Sequence, residues 1–478
     1  MRILFYHWVP FYDPRREGGG IAVYMNNLID YLCKHTDHKI SCIFSGYRGN
    51  SFRIAPYLAQ THNPYEYAGC KTWEIINAPA VSQLYFNAYN PRLAYEDNPT
   101  SDIFVNFVRQ VGGFDIIHFH SLEGIPPVLL DKLKKHFPET RLLFSVHDYH
   151  PLCPLVRLYR PKLPGKSRGG NCEDYGAGFN CLNCVPQLPR SAYRTPIDRY
   201  LADPHNKPFP GKLLLKNPFR SMFMKRAWKR VTACPPQAEN FVHYREVYAH
   251  FLNSCIDCIL PVSKRTGQIM VHHGIRPELL ITCYIGTAAA EHARNGQSSS
   301  PTDGTLSIAF MGYAQAEEKG FPFLMQSLSH LPTKTASKLR LIVAARGADK
   351  QAIQNSLKHL KEVLIYDGYT HDQLPCILSG VHLGIIPVLW EDNLPQVAIE
   401  MVAHGVPILC SDMGGASELC DCEDFKFKAG DEADLIQKLT NFVEKPELLY
   451  QYWEHHRGLT TMQQHVEQLE SIYQQKTS

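Results

Sequence analysis

No uninterrupted apolar run in the 478 residues reaches the roughly 18 that a membrane-spanning helix needs. A charge excess is missing too: 49 Lys and Arg stand against 46 Asp and Glu, a formal net charge of +3. No global basic character therefore argues for nucleic acid, and none is expected as a partner. Neither a His-Glu-x-x-His metal motif nor a Gly-x-Ser-x-Gly nucleophile elbow occurs. No internal repeat of fixed short period is seen. The opening "MRILFYHWVPFYD" is too short and too interrupted for a signal peptide and reads as a first strand. Cysteine is not scarce: fifteen of them, without an export signal, suggest a reducing compartment.

With 44% hydrophobic and 20% charged residues the chain reads as soluble and globular, and too long for one core. Short apolar runs alternate with helix-length amphipathic segments. They are "RILFYHW", "KISCIFSG", "DIIHFHS", "RLLFSVHD" and "CILPVS" in the first half, then "LSIAFMG", "LRLIVAARG", "VLIYDG", "LGIIPV" and "VPILCSD". Runs apolar throughout suit strands covered on both faces, hence parallel sheets with crossover helices. The fold class is α/β: two tandem Rossmann-like doubly wound domains, residues 1–290 and 306–450, facing a cleft. The polar stretch 291–305 reads as the linker. Residues 451–478 read as C-terminal helices, with the option of crossing back to the first domain. Residues of about 149–250 break the pattern with prolines, a cysteine cluster and a basic stretch, and read as an insertion in the N-terminal domain.

Ligands of doubly wound sheets bind beyond the carboxyl ends of the strands, and those ends are distinctive here. Gly18, Gly19 and Gly20 precede a helix, where backbone amides can approach an anion; an ordinary flexible turn is the plainer reading. His118, His120, His147 and Asp148 end two strands, where an imidazole can donate a hydrogen bond or move a proton. Lys319 precedes a helix start near Pro322. A cation there opposes the helix dipole unless an anion binds or Glu317 or Glu318 pairs with it. In "WEDNLPQVAIEMVAHGVPILCSDMGGASE", Pro395 suits a first helical position and leaves amides free for a second anion site. Glu400 sits among Val397, Ala398, Ile399, Met401, Val402 and Ala403. A buried carboxylate needs donors, and these are either ligand hydroxyls or an Arg or Lys elsewhere in the chain. Asp392, eight residues earlier, can reach another part of the same ligand, and Gly414 and Gly415 again leave room for close approach.

Taken in order, "GGGIAVYMNNL", "DIIHFHS", "SVHD", "PVSKRT", "KGFPFL" and "EDNLPQVAIEMVAHGVPILCSDMGGASE" resemble the retaining GT-B-fold glycosyltransferases of the fourth sequence family, common in bacterial polysaccharide synthesis. The resemblance covers most of the chain outside 149–250. It implies transfer of a sugar from a nucleoside-diphosphate sugar to a hydroxyl of a glycan or lipid-linked glycan, with retention and without a catalytic cofactor. It implies Glu400 on the ribose, Asp392 at the donor sugar with Glu391 as its rival, and Lys319 on the diphosphate. His147 is implied at the active site, with Gly19 and Gly20 beneath the leaving group. Gly312, Asn393, Leu394 and Pro395 complete the implied nucleotide-sugar site. The usual arginine after Gly312 is Tyr313 here, with Arg346 as a candidate substitute, and the usual Asn-Gly after the interdomain strand is Ile285-Gly286. The alternatives are a GT-B nucleotide-sugar epimerase and a non-catalytic scaffold.

Two features of the insertion stand apart. Cys153, Cys172, Cys181 and Cys184 suit a structural zinc, with free or disulfide-paired thiols as the alternative; Cys255 and Cys258 read as core. Between Asp203 and Glu239, Lys207, Lys212, Lys216, Arg220, Lys225, Arg226, Lys229 and Arg230 run without an acid, and Phe219, Phe223, Ala227 and Val231 recur every four residues beside Trp228. This pattern suits either an anionic membrane surface or a solvated face. The expected location is the cytoplasm, peripheral on the inner face of the membrane.

Overall fold

The computed structural model describes residues 1–13, 18–48, 55–80, 91–160, 169–172, 181–184, 237–293, 301 and 303–475. Strands of the first half are β1 (Arg2–His7), β2 (Lys39–Ser45), β3 (Tyr57–Thr61), β4 (Lys71–Ile76), β5 (Ile116–Phe119), β6 (Arg141–Val146), β7 (Tyr159–Arg160), β8 (Gly170–Asn171) and β9 (Cys258–Pro261). Seven form one sheet in the order β3-β4-β2-β1-β5-β6-β9, parallel except for β3, which lies antiparallel on the edge. The second half contributes β10 (Leu306–Tyr313), β11 (Leu339–Arg346), β12 (Glu362–Tyr366), β13 (Leu383–Ile386), β14 (Ile408–Ser411) and β15 (Lys426–Phe427), all parallel, in the order β12-β11-β10-β13-β14-β15. Setting β3 aside, both sheets have the doubly wound order in which the third and second strands lie on one side of the first and the later ones on the other. The order reverses between β1 and β5, and again between β10 and β13. Central strands are buried on both faces, as their unbroken apolar runs predict.

Three expectations are corrected. The insertion does not extend to residue 250. Helix Ala238–Cys255 is one continuous element with Tyr244, Tyr248 and Leu252 fully buried, and it leads the chain from β6 into β9. Pro395 caps the helix Gln396–Ala403 rather than opening it, and Gly19 and Gly20 lie within the first turn of the Gly19–His35 helix rather than before it. The sheets also hold β3, β4 and β15, which carry no strong apolar run.

The final helix, Met462–Gln474, packs on the N-terminal domain. Tyr473 bonds His118 (2.8 Å), Glu470 bonds His38 (2.7 Å) and His465 bonds Tyr24 (2.8 Å). Gly286 lies so close to this helix that a Cβ there would stand 2.6 Å from the His465 Cβ. No helix among the described residues is long and apolar enough to cross a membrane. Most of the linker, and the basic stretch from Lys207 to Arg230 with Trp228, lie outside the described residues.

Candidate functional site between the two sheets

A cavity of about 530 Å³ lies between the domains, at the carboxyl ends of both sheets. Gly312, Tyr313, Pro387 and Trp390 line it from one side, His147 and Asp148 from the other. The two helix openings meet there: a Cβ on Gly20 would stand 3.6 Å from the Gln396 Cβ. Gly19 holds φ +54, which a side chain would strain. Gln396 and Val397 line the cavity from the first turn of their helix, where amides have no partner within the helix itself.

Lys319 pairs with neither Glu317 nor Glu318. Its Nζ donates to Asp392 Oδ2 at 2.6 Å and lies 5.0 Å from the centroid of the Trp390 ring. The two glutamates turn to the insertion instead. Arg157 pairs with Glu318, and the Gly169 amide donates to Glu317 at 2.8 Å. Chain entering the β7–β8 hairpin is thus tied to the loop that carries Lys319. Gly320 makes that loop possible: it has φ +78, and a Cβ would fall 1.6 Å from the Pro387 carbonyl oxygen.

The acids of the signature segment divide their work. Glu391 accepts from Nε and Nη2 of Arg265 in the other domain, and from the Gly414 amide at 3.0 Å. Glu418 accepts the amides of Lys264 (3.0 Å) and Arg265 (2.7 Å) and the Tyr284 hydroxyl (2.6 Å). It thereby sits at the N-terminus of the Lys264–His272 helix, where a negative charge is favoured. Gly414 and Gly415 give room to the protein's own backbone rather than to a ligand: a Cβ on either would fall 2.2 Å from the carbonyl oxygen of Asp392 or Asn393. Asp392, Asn393, Leu394 and Pro395 all line the cavity, whereas Glu391 does not.

Glu400 is 3% exposed and does not itself line the cavity, although Gln396 and Val397 of the same helix do. Its donors are the Tyr369 hydroxyl and His371 Nε2, each at 3.1 Å, and not an Arg or Lys. Nearby, Arg346 stands 5.9 Å from the ring centroid of Tyr313, the residue in the place of the usual arginine.

On the N-terminal side, His120 Nδ1 and His147 Nε2 are 3.1 Å apart, and Tyr24 packs on His147 with centroids 4.9 Å apart. His118 instead spans Ser145 and Tyr473, both at 2.8 Å, away from the cavity lining. Burial, and then the neighbouring histidines, hold His120 and His147 well below the usual imidazole range. His147 therefore faces the cavity as a neutral ring that can donate or accept one hydrogen bond. Asp148, bonded to Ser121 at 3.1 Å, is pushed up to about 6 by burial.

This histidine set makes the fold acid-sensitive. Burial lowers His7 and His465 to about 4, and His118 and His150 to about 3. Unfolded imidazoles titrate near 6.5, so protons bind the unfolded chain first. Stability is complete above that value and is lost as pH falls through it toward 4. Asp148 acts in the opposite direction, one carboxyl against four imidazoles. By pH 5 each histidine should cost on the order of 2 kcal/mol. Calorimetric Tm is expected to drop steadily from pH 7 to 5; a flat Tm over that interval would rule the account out.

Cys153, Cys172, Cys181 and Cys184 are brought together around a second small cavity, which shares Pro154 and Leu155 with the lining of the interdomain cavity. Cys255 and Cys258 are buried in the core. Periodicity gave no sign of Trp390, Arg157, Tyr369 or His371, since each matters through a partner distant in sequence.

Residues 305–445 match a family model described as glycosyl transferases group 1. No curated protein sequence matches the chain significantly. Among solved structures, HepE of Anabaena in complex with UDP and glucose is 13% identical over 99% of this chain and 100% of that one, with a TM-score of 0.54. Sucrose-phosphate synthase of Thermosynechococcus elongatus is 15% identical over 99% and 98%, with a TM-score of 0.57. The trehalose-6-phosphate synthase OtsA is 12% identical over 100% and 99%, with a TM-score of 0.55. At these identities the likeness is one of fold. The chain thus has the two-domain GT-B fold and carries, at residues 305–445, a group 1 glycosyltransferase domain.

Proposed function

We propose that this chain transfers a sugar from a uridine-diphosphate sugar to a hydroxyl of a glycan or lipid-linked glycan, with retention at the anomeric carbon. The observation that carries the reading is the Lys319–Asp392 pair over Trp390, set in the interdomain cavity between two helix openings. The UDP complex of HepE supports uridine as the base. As the bond from the anomeric carbon to the phosphate oxygen breaks, Lys319 and the amides of both helix openings stabilise the charge growing on the diphosphate. The acceptor oxygen bonds to the same face of that carbon, and its proton passes to the departing phosphate. Asp392 accepts hydrogen bonds from donor-sugar hydroxyls, neutral His147 offers one from the opposite wall, and Glu400 holds the ribose. No carboxylate nucleophile is used, unlike the scheme of retaining glycoside hydrolases.

The acceptor reaches the N-terminal side of the cavity. The acid-free run of eight Lys and Arg between Asp203 and Glu239 supports a peripheral site on the cytoplasmic face of an anionic membrane, near lipid-linked acceptors. Isothermal titration with UDP, GDP and ADP tests the donor side; UDP should bind at least about tenfold tighter, which is 1.4 kcal/mol. A panel of UDP-sugars, with glycan acceptors free or on anionic vesicles, then reads transfer and product anomer. UDP binding without transfer or hydrolysis of any donor would make the chain a scaffold, and an inverted product would end the retaining reading.

A further inference from the structure

The root of the insertion carries a group of side chains for which sugar transfer has no use. Cys153, Cys172, Cys181 and Cys184 line one cavity of about 20 Å³, between the β7–β8 hairpin and the Ala238–Cys255 helix. That volume holds one water-sized body and nothing larger. Cys181 and Cys184 occupy one helical turn, so they present two sulfurs to the same place. None of the four is in a disulfide. The other lining residues are Pro154, Leu155, Tyr159 and Phe241, with Arg160 and Arg245 as the charged ones, and Arg245 Nη2 lies 3.8 Å from Cys181 Sγ. Among the described residues no carboxylate lines this cavity. Two cations beside four thiols suit an anionic centre: a divalent ion held by four thiolates carries a net charge of −2, which the two guanidinium groups offset.

We propose that Cys153, Cys172, Cys181 and Cys184 bind one structural zinc ion tetrahedrally, with Arg160 and Arg245 balancing its charge. Among the described residues no three metal-binding side chains already converge on a point. Binding therefore draws the sulfurs inward by side-chain rotation, and four thiol protons leave to solvent as one Zn²⁺ enters. The ion supplies what this segment lacks in core, joining the hairpin to a buried helix. It also fixes the stretch of chain whose Arg157 and Gly169 hold the Glu318 and Glu317 loop beside Lys319.

The full-length chain, purified without chelator from zinc-supplemented medium, should contain about one zinc by elemental mass spectrometry, and the Cys181→Ser/Cys184→Ser variant less than about 0.1. If that variant fails to fold by circular dichroism, Cys184→His replaces it. This variant keeps a zinc ligand at the position and should keep both metal and fold. Chelation of the wild type should release the ion and expose the hairpin to protease. Wild-type protein with less than about 0.1 zinc, iron in its place, disulfides among these cysteines, or full zinc content in the double serine variant would each overturn the site. None of these readouts involves a nucleotide, so their failure is distinct from failure of the sugar-transfer reading.

Discussion

Lys319→Ala is expected to lower kcat by about 100- to 1000-fold, or about 2.7–4 kcal/mol, the usual effect of removing one preorganised charge-stabilising donor. Lys319 Nζ is held by Asp392 at 2.6 Å and by the face of Trp390, so it is positioned before the donor arrives. Its side chain is one-third exposed. The pair itself therefore adds little to folding. The Asp392 carboxylate is more deeply buried, at 10% exposure, and loses its cation in the variant. A stability loss of about 1–3 kcal/mol follows from that and must be separated from catalysis. The double variant Lys319→Ala/Asp392→Asn removes the stranded charge. It should recover most of the lost Tm and none of the lost turnover. Wild-type kcat in Lys319→Ala would retire the role and turn attention to Arg346.

Glu400→Gln should raise the Kd for UDP by about 10- to 150-fold, the 1.5–3 kcal/mol of a hydrogen bond to a charged group, while the fold persists. Tyr369 and His371 each take one acceptor position of Glu400. A carboxylate offers about four, so ribose hydroxyls can bind without displacing either neighbour. Glutamine still accepts from one of the two but turns an amide toward the other. If titration shows unchanged UDP affinity in a folded Glu400→Gln protein, Glu400 serves only to hold the Tyr369–His371 loop.

Much of the architecture was legible because its strands are covered on both faces. "RILFYHW" and "LGIIPV" are apolar without interruption, and burial on both sides demands that. β4 escaped notice because "KTWEII" includes Glu74, which is fully buried and paired with Arg48; nothing local announces that pairing. The end of the insertion was misplaced for a related reason. The Ala238–Cys255 helix buries tyrosines whose hydroxyls bond to His150 and to the Ala94 carbonyl oxygen, so its inner face looks polar in sequence. In the site, an acid alone in an apolar helix was visible as an anomaly, yet its donors could not be found by spacing. They lie 29 and 31 residues upstream. Lys319 was visible too, but the glutamates beside it in sequence pair with Arg157 and the Gly169 amide of the insertion.

The Glu391–Arg265 and Glu418–helix contacts bear on how such a chain can be re-engineered. Residues 305–445 look like a cassette that could be grafted onto another N-terminal half. Two of its signature acids, however, depend on the other half: Glu391 on Arg265, beside the Gly414 amide of its own half, and Glu418 on Tyr284 and the amides of Lys264 and Arg265. A graft that leaves those behind strands Glu391, 3% exposed at its side chain, without a counter-charge. Arg265 is itself 41% exposed at its side chain, so the loss is that of a buried carboxylate left without its donor, about 1–3 kcal/mol, still a sizeable part of the margin by which a domain stays folded. The practical crossover point is therefore upstream of Ser263, so that a transplanted C-terminal half carries its own mooring.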